Sequence, residues 1–209
     1  MIRILLSLIC SIILANKAVA DTNRISLNFQ SSTAQIRTFN KTYKGDLSGG
    51  VLSSSFDVGR NFILGLDVKD GAGEVSSDQA LSYSFNEYIA HSAFKFSEIS
   101  GSQSQRNYAL SVGWGILHKS ANFNGLKFSE TQYPIFLGVD LDISKRLSLR
   151  IKGYSQLDKF DDNRAAFIEL VSSVNEKVKI VGRYSNYSSK INAIKQCGSD
   201  YVIGLEIHF

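Results

Sequence analysis

The stretch YVIGLEIHF (residues 201–209) carries an apolar residue at every second position. Its apolar set is Tyr201, Ile203, Leu205, Ile207 and Phe209, and the residues between them are Val202, Gly204, Glu206 and His208. A period of two is typical of a β-strand with one face toward an apolar phase and the other toward polar groups. That apolar phase is either a protein core or a lipid bilayer, and the rest of the sequence has to distinguish the two.

The same period recurs along the chain. It is found in residues 25–29, 62–69, 81–86, 108–116, 135–143, 147–152, 168–170 and 178–180. No segment of this part of the sequence has a convincing helical period. The sequence therefore predicts an all-β protein.

The first 20 residues have the pattern of a secretory signal peptide. Arg3 gives a basic start, residues 4–15 are almost entirely apolar, and Ala18-Val19-Ala20 matches a cleavage site. The apolar run is too short to cross a membrane as a helix. We expect cleavage before Asp21, which leaves residues 21–209 as one domain.

Charge and cysteine content exclude several classes of protein. Without the predicted signal peptide, 21 basic and 19 acidic residues remain, so the charge does not indicate a nucleic-acid partner. Cys197 is then the single cysteine, which excludes a disulfide-stapled secreted module. Neither a cofactor nor a metal site is predicted, because His91, His118 and His208 lack the spacing of a metal-binding motif.

The connections between the predicted strands are alternately short and long. Short ones lie at residues 58–61, 86–87, 144–146 and 174–176, and longer polar ones at 31–48, 70–78, 100–106, 158–163 and 188–200. An up-and-down antiparallel barrel has this pattern when one rim carries turns and the other carries loops. We favour about twelve strands, with residues 118–134 contributing one, and ten or eight as alternatives with merged strands.

Three features favour a lipid-facing barrel over a soluble β-sandwich or barrel, which would also alternate. The polar face of residues 108–116 consists of small residues, as a crowded lumen requires. Opposite charges are expected to face each other across turns: Asp140 lies opposite Arg150, and Glu169 lies opposite or near Val181 and Arg183, depending on register. Aromatic residues lie toward the expected strand ends, as in an interfacial girdle: Tyr88, Tyr108, Tyr184, Tyr201 and Phe209.

The two faces of the strands are expected to have different surroundings. The apolar face should contact acyl chains through residues such as Leu110, Leu137, Leu149, Ile180 and Leu205. The other face should line the lumen through nine charged residues: Asp67, Lys95, Asp140, Arg150, Lys152, Glu169, Lys179, Arg183 and Glu206.

Residues 201–209 resemble the C-terminal strand of bacterial outer-membrane β-barrel proteins. The matching residues are Tyr201, Ile203, Leu205, Ile207 and the terminal Phe209. The resemblance implies that this strand is read by the barrel-assembly machinery and closes the barrel against the first strand. It also implies residence in the outer membrane of a Gram-negative bacterium, in contact with outer-membrane lipid and lipopolysaccharide. No subfamily is identified.

Two functions are considered for such a barrel. The first is non-enzymatic: a porin-like or structural protein, or a narrow passive channel for small solutes. The second is a lipid hydrolase, because residues 183–191 faintly resemble the lipid A deacylase family around Ser188. Asn186 stands where that family has its histidine base, and an amide cannot accept the serine proton. All three histidines are expected near the periplasmic rim, so we predict no enzyme. A soluble periplasmic β-protein is the remaining alternative.

Overall fold

The structure is a computed structural model that describes residues 23–38, 41–58, 61–96, 108–156 and 163–209. Within these ranges it contains eleven strands: β1 (Arg24–Arg37), β2 (Thr42–Val58), β3 (Phe62–Ser76), β4 (Ala80–Phe96), β5 (Tyr108–Phe123), β6 (Leu126–Gln132), β7 (Ile135–Ser144), β8 (Leu147–Ser155), β9 (Arg164–Ser173), β10 (Val178–Ile191) and β11 (Ile194–His208). No helix long and apolar enough to cross a membrane occurs in these ranges.

The strands form one closed antiparallel barrel. Strands that follow each other in the chain pair, except β6 and β7, and β1 pairs with β11 over their whole length, from Arg24 opposite His208 to Arg37 opposite Lys195. Strands β6 and β7 pair with successive halves of β5 in the same register. They therefore occupy a single position in the barrel, which has ten strands.

The all-β antiparallel barrel is confirmed, and its strand number is ten rather than the favoured twelve. Segment 118–134 forms the distal half of a hairpin instead of an extra barrel strand. Its turn is Asn124-Gly125, both at positive φ (49° and 87°), as a two-residue hairpin turn requires. Pro134 interrupts the returning strand because it has no N–H to donate to the ladder.

The barrel has two rims, named here by the chain ends. The terminal rim carries both ends of the barrel domain and the β2–β3, β4–β5, β7–β8 and β9–β10 connections. The distal rim carries the β1–β2, β3–β4, β5–β6, β8–β9 and β10–β11 connections.

Several segments predicted as long loops are strand. Residues 31–48, 70–78 and 188–200 lie mostly in β1, β2, β3, β10 and β11, which continue to tight distal connections. Polar residues on their outward faces made these strands resemble loops. Residues 100–106, and 158–162 of the other predicted loop, lie outside the described residues.

The polarity of the two faces reverses along the strands. In β1, Leu27 and Phe29 point outward and are 66% and 77% exposed, whereas Ala34 and Ile36 point inward and are buried. In β4, Leu81, Tyr83 and Phe85 point inward, although the alternation alone suggested a lipid-facing set. The outward apolar band thus covers only the terminal part of the barrel.

The predicted aromatic girdle follows this band rather than the strand ends. Tyr88, Tyr184 and Tyr201 lie in the middle of their strands, because β4, β10 and β11 continue past the band toward the distal rim. Tyr108 begins β5 at the terminal rim, and Phe209 packs edge-on against Phe56 there, with ring centroids 6.5 Å apart.

The barrel narrows toward its distal rim. Strands β8 and β9 have nine and ten residues, against 14–17 in β1–β5, β10 and β11, so they end before the distal part. Beyond them β6 contacts β10 directly. Side chains join this seam: Gln132 donates to Asn163 (2.8 Å), Lys190 N donates to Asn163 (3.0 Å), and Asn192 N donates to Glu130 (3.3 Å). Eight strands remain in the distal part, a number whose interior side chains can fill.

Candidate functional site: the barrel interior

The terminal part of the barrel encloses a polar cavity of about 160 Å³. Charged residues of both signs border it, together with the rings of Phe136, Tyr154 and Phe167. Four buried polar atoms of residues that line it have no hydrogen-bond partner within the described chain: Gln30 Oε1, Ser53 Oγ, His91 Nδ1 and Asp140 Oδ1. Such atoms normally bond to ordered water when they border a cavity, so this space fits a hydrated interior.

An ion-pair network crosses the cavity floor near the terminal rim. Arg150 donates two hydrogen bonds to Glu206, at 2.6 and 2.8 Å, in the bidentate geometry that makes such pairs strong. It also lies 3.6 Å from Glu169, which accepts a hydrogen bond from Arg183 Nε at 2.7 Å. His208 is 2.6 Å from Glu206. Four strands, β8–β11, are therefore joined by side chains as well as by backbone hydrogen bonds.

The register explains why these charges meet. Asp140 lies opposite Arg150 across the β7–β8 turn, and Arg150 lies opposite Glu169 in β9. Glu169 in turn lies opposite Arg183 in β10. Alternating signs on adjacent strands thus bring Glu169 between two arginines and Arg150 between two carboxylates.

The nine residues predicted to line a lumen are found in two places. Seven border the cavity: Asp67, Asp140, Arg150, Lys152, Glu169, Arg183 and Glu206. Lys95 and Lys179 lie closer to the terminal rim, near the ends of β4 and β10. Whether any of the nine lines a path for solutes stays a prediction.

His91 is held against the cavity wall by ring stacking. Its ring stacks on Phe136 with centroids 4.9 Å apart, and its Nδ1 is 3.9 Å from Asp67. Gly65 on the neighbouring strand makes room for it, since a Cβ there would clash with the imidazole. A small residue on the polar face thus accommodates a large inward ring.

A second polar layer crosses the barrel at the distal end of the cavity. Lys69 forms an ion pair with Asp200 at 2.5 Å, and its ammonium group lies over the rings of Phe85 and Tyr187, at 5.3 and 4.9 Å. Lys119 is 3.3 Å from Glu87 and donates a hydrogen bond to Ser189 at 2.8 Å. The four charges form two buried pairs, so this layer separates the cavity from the distal part.

Sequence analysis missed this second layer. Glu87 lies in step with the apolar inward residues Phe85 and Ile89, and Lys119 lies in step with Leu117 and Ala121. The sequence signal for this layer is a charged residue within an alternating apolar set, because a buried charge needs a partner on another strand.

An apolar core fills the distal part of the interior. Ten buried side chains form it: Ala34, Ile36, Leu47, Val75, Tyr83, Phe85, Ala121, Phe123, Ile191 and Ile194. Ile36 and Val75 have no exposed surface at all. Side chains without exposed surface cannot border a water-filled passage, so Ile36 and Val75 lie in a dry part of the interior.

A hydrogen bond joins two connections at the distal rim. Lys41 Nζ, in the β1–β2 connection, donates to Asp78 in the β3–β4 connection at 2.9 Å. This hydrogen bond and the attraction between the charges raise the pKa of Lys41 and lower the pKa of Asp78. Both groups are exposed, so the pair contributes little to stability.

The hydrolase candidates do not form a catalytic group. The Ser188 hydroxyl lies 3.5 Å from Cys197 Sγ, and Asn186 donates to Ser199 at 3.5 Å. His91 borders the cavity and His208 contacts Glu206 at the terminal rim. The expectation that all three histidines lie near the same, periplasmic rim is wrong, because His118 lies in the distal half of β5, paired with Thr131 of β6. In the described ranges, no three His, Cys, Asp or Glu residues are arranged to hold a metal ion.

The chain was compared with known proteins and solved structures. No family model and no curated protein matches the sequence. The translocator domain of the autotransporter NalP from Neisseria meningitidis has a similar structure, with a TM-score of 0.52 at 10% identity, covering 96% of this chain and 93% of that one. Neisserial surface protein A matches with a TM-score of 0.46 at 13% identity, over 88% and 97% of the two chains. The attachment invasion locus protein Ail of Yersinia pestis matches at 0.43 and 12%, over 90% and 99%.

The fold is therefore that of bacterial outer-membrane β-barrel proteins. Its defining features here are ten antiparallel strands, the closure of β1 on β11, and an outward apolar band around a polar interior. The fold alone does not specify transport, adhesion or catalysis, so a function has to be argued from the interior and the outer surface.

Proposed function

We propose that the protein is an integral barrel of the bacterial outer membrane with a sealed lumen, and that its role is structural rather than that of a passive pore. The observation that carries this proposal is the filled interior. Two buried ion-pair layers and the apolar core occupy successive levels of the barrel axis.

The membrane location is supported by the outward apolar band. Large side chains that would be unfavourable in water are exposed around the terminal part, among them Leu27, Phe29, Trp114, Leu137 and Ile203. An apolar band this continuous is typical of a surface covered by lipid. We also propose the cleaved signal peptide, the barrel-assembly machinery as the partner during insertion, and residues 201–209 as the strand it reads.

The geometry of residues 201–209 is compatible with recognition by the barrel-assembly machinery. Tyr201, Ile203, Leu205 and Ile207 point outward, and their strand pairs with β1 along its length. A strand with one fully apolar face can be recognised before the barrel closes and can face lipid afterwards.

A narrow passive channel is the competing function, and the cavity of about 160 Å³ is the feature that favours it. Recording from purified protein in planar bilayers distinguishes the two. We expect stable insertion, seen as heat-dependent gel migration, without conductance steps. Reproducible small conductance steps from the unaltered chain would replace the sealed barrel with a channel.

Catalysis is tested separately. Replacement of Ser188, His91, His118 or His208 by alanine should leave the lipid composition of expressing cells unchanged. A loss of lipid deacylation in any one of these variants would support the hydrolase alternative.

A further inference from the structure

The cavity in the terminal part of the barrel contains a lysine without a partner. The stem of Lys152 lies across Gly138 of the neighbouring strand, where a Cβ would be 3.3 Å from Lys152 Cγ. Both residues line the cavity. Within the described chain, the Lys152 ammonium group forms no hydrogen bond and no ion pair. A charge that is removed from bulk water in this way requires a counter-charge.

The charges around Lys152 do not supply that counter-charge. The repulsion from Arg24 is larger than the attraction from either Asp140 or Glu169. Glu169 already accepts a hydrogen bond from Arg183 at 2.7 Å. Asp140 is therefore the carboxylate that is left for Lys152.

Asp140 is in the complementary state. Its Oδ1 atom is buried and accepts no hydrogen bond from the described residues. It lies two residues from Gly138 on β7, and so diagonally across from Lys152 in the β7–β8 ladder. Diagonal neighbours are separated by about 7–8 Å between their Cα atoms, a gap that a small molecule can span. Two opposite charges thus border one cavity without contacting each other.

The rest of the wall offers both polar atoms and apolar surface. Gln30 Oε1, Ser53 Oγ and His91 Nδ1 have no hydrogen-bond partner within the described chain, and three aromatic rings border the same space. The cavity of about 160 Å³ has room for on the order of ten water molecules, and therefore for one small organic molecule. A space with a few polar groups on a partly apolar wall is typical of a small-molecule site.

These groups specify the chemistry of an occupant. A free anion would neutralise Lys152 and leave Asp140 without a donor, and a free cation would do the reverse. A molecule that carries both charges satisfies both residues through charge-assisted hydrogen bonds. We propose that the cavity binds one small zwitterion, with its carboxylate at Lys152 and its ammonium group at Asp140. This site goes beyond the proposed structural role, and it does not depend on the membrane location because its residues lie inside the barrel.

The test refolds the full-length mature chain in detergent with an equimolar mixture of glycine, β-alanine and 4-aminobutyrate. These three probes differ in the separation of their two charges, and native mass spectrometry identifies the bound one by its mass. We expect one bound molecule per barrel. Butyrate and n-butylamine, which each carry one of the two charges, should bind at least about tenfold more weakly.

Two variants change which charge the cavity requires. Lys152→Met keeps most of the stem, Asp140→Asn keeps the shape of the side chain, and each should weaken zwitterion binding about tenfold or more. Because each variant leaves the opposite charge without a partner, Lys152→Met should bind n-butylamine better than the zwitterion, and Asp140→Asn should bind butyrate better. A purely structural role of the two residues would not produce this exchange of probes.

Matched controls separate the site from general effects. Lys179→Met and Asp142→Asn make the same replacements on β10 and β7, at positions that do not border the cavity. Both controls should bind the zwitterion as the unaltered chain does. Heat-dependent gel migration of every variant reports whether the barrel has folded, and so tests the barrel independently of the ligand.

Other outcomes overturn the proposal. Folded barrels without any of the three zwitterions would mean that the cavity holds water only. Equal binding of butyrate or n-butylamine by the unaltered chain would mean that the two charges are not recognised together. Loss of zwitterion binding in the two controls as well as in the two site variants would remove the site from Lys152 and Asp140.

Discussion

Arg150 is the residue on which the terminal interior depends. It bonds to Glu206 through both terminal nitrogens and lies close to Glu169, and all three side chains are nearly completely buried. Sequence reasoning placed Arg150 on the polar face as one of nine charged residues expected to line the lumen. Its contacts make it the common partner of two buried carboxylates.

Arg150→Leu should therefore destabilise the barrel by about 3–5 kcal/mol, because it removes the bidentate partner of buried Glu206 and one of the two arginines beside buried Glu169. Leu149→Arg places a cation on the outward face of the same strand and should cost roughly 2–4 kcal/mol near the bilayer midplane. Urea titration of protein in lipid vesicles measures both. The ion-pair network thus makes the expected cost of Arg150→Leu at least as large as that of Leu149→Arg.

A second substitution separates loss of the pair from loss of the side chain. Arg150→Leu combined with Glu206→Gln should recover part of the lost free energy of unfolding, because Glu206→Gln removes the buried carboxylate charge that has lost its arginine partner. If the double variant is as unstable as the sum of the single ones, Arg150 stabilises through packing rather than through Glu206.

The β5–β6 hairpin shows how one element sets the strand number. Asn124 and Gly125 both adopt positive φ, and β6 continues directly into the β7 position after Pro134. A tight turn keeps both arms in one register, so the segment lengthens two barrel strands instead of adding new ones.

Gly125→Val should weaken this hairpin. A β-branched side chain at φ 87° is strained, and we expect a cost of at least about 1–2 kcal/mol. Asn124→Gly is the matched control, since glycine adopts the same conformation without strain. Equal free energies of unfolding for the two variants would mean that the turn geometry contributes nothing to hairpin stability.

Strand β1 combines two environments in one element. Its outward residues Leu27 and Phe29 belong to the apolar band, and its inward residues Ala34 and Ile36 belong to the distal core. The apolar residues change from odd to even positions between 29 and 34. Tyr187 and Ile191 of β10 show the same change relative to Ile180 and Tyr184.

This change of the apolar residues from odd to even positions predicts different responses to side-chain truncation in β1. Ile36→Ala should cost about 2–5 kcal/mol, since it opens a cavity in a dry core, and the loss should be the same in detergent and in lipid vesicles. Thr33→Ala, on the exposed face of β1, should change stability by less than about 0.5 kcal/mol. A loss at Ile36 that depends on lipid thickness would place this residue in the membrane-facing band instead.

At the scale of the whole molecule, the barrel has two parts with opposite polarity. The terminal part has an apolar exterior and a polar interior, as a membrane-spanning barrel does. The distal part has a polar exterior and an apolar interior, as a water-soluble barrel does. We therefore propose an orientation in which the distal part stands outside the outer membrane.

Cys197 tests this orientation because it lies half-buried on the outward face of distal β11. A membrane-impermeant maleimide should label it in intact cells. The control is Lys177→Cys in a Cys197→Ser background, which moves the thiol to the terminal rim and should be labelled only after lysis. Labelling of this control variant in intact cells, with Cys197 of the unaltered chain protected, would reverse the orientation.

The alternation of apolar residues determined the fold class by itself, because a period of two can bury one face of a strand only in a sheet. It also determined the pairing of Asp140 with Arg150, since a short turn fixes the register on either side. The strand number, the ion-pair layers and the apolar distal core required the tertiary structure. They depend on which strands end early, on where the bilayer ends along each strand, and on charges brought together from strands far apart in sequence, such as Lys69 with Asp200. An alternating pattern records that a residue faces inward, but the barrel's local diameter and surroundings decide what the interior contains.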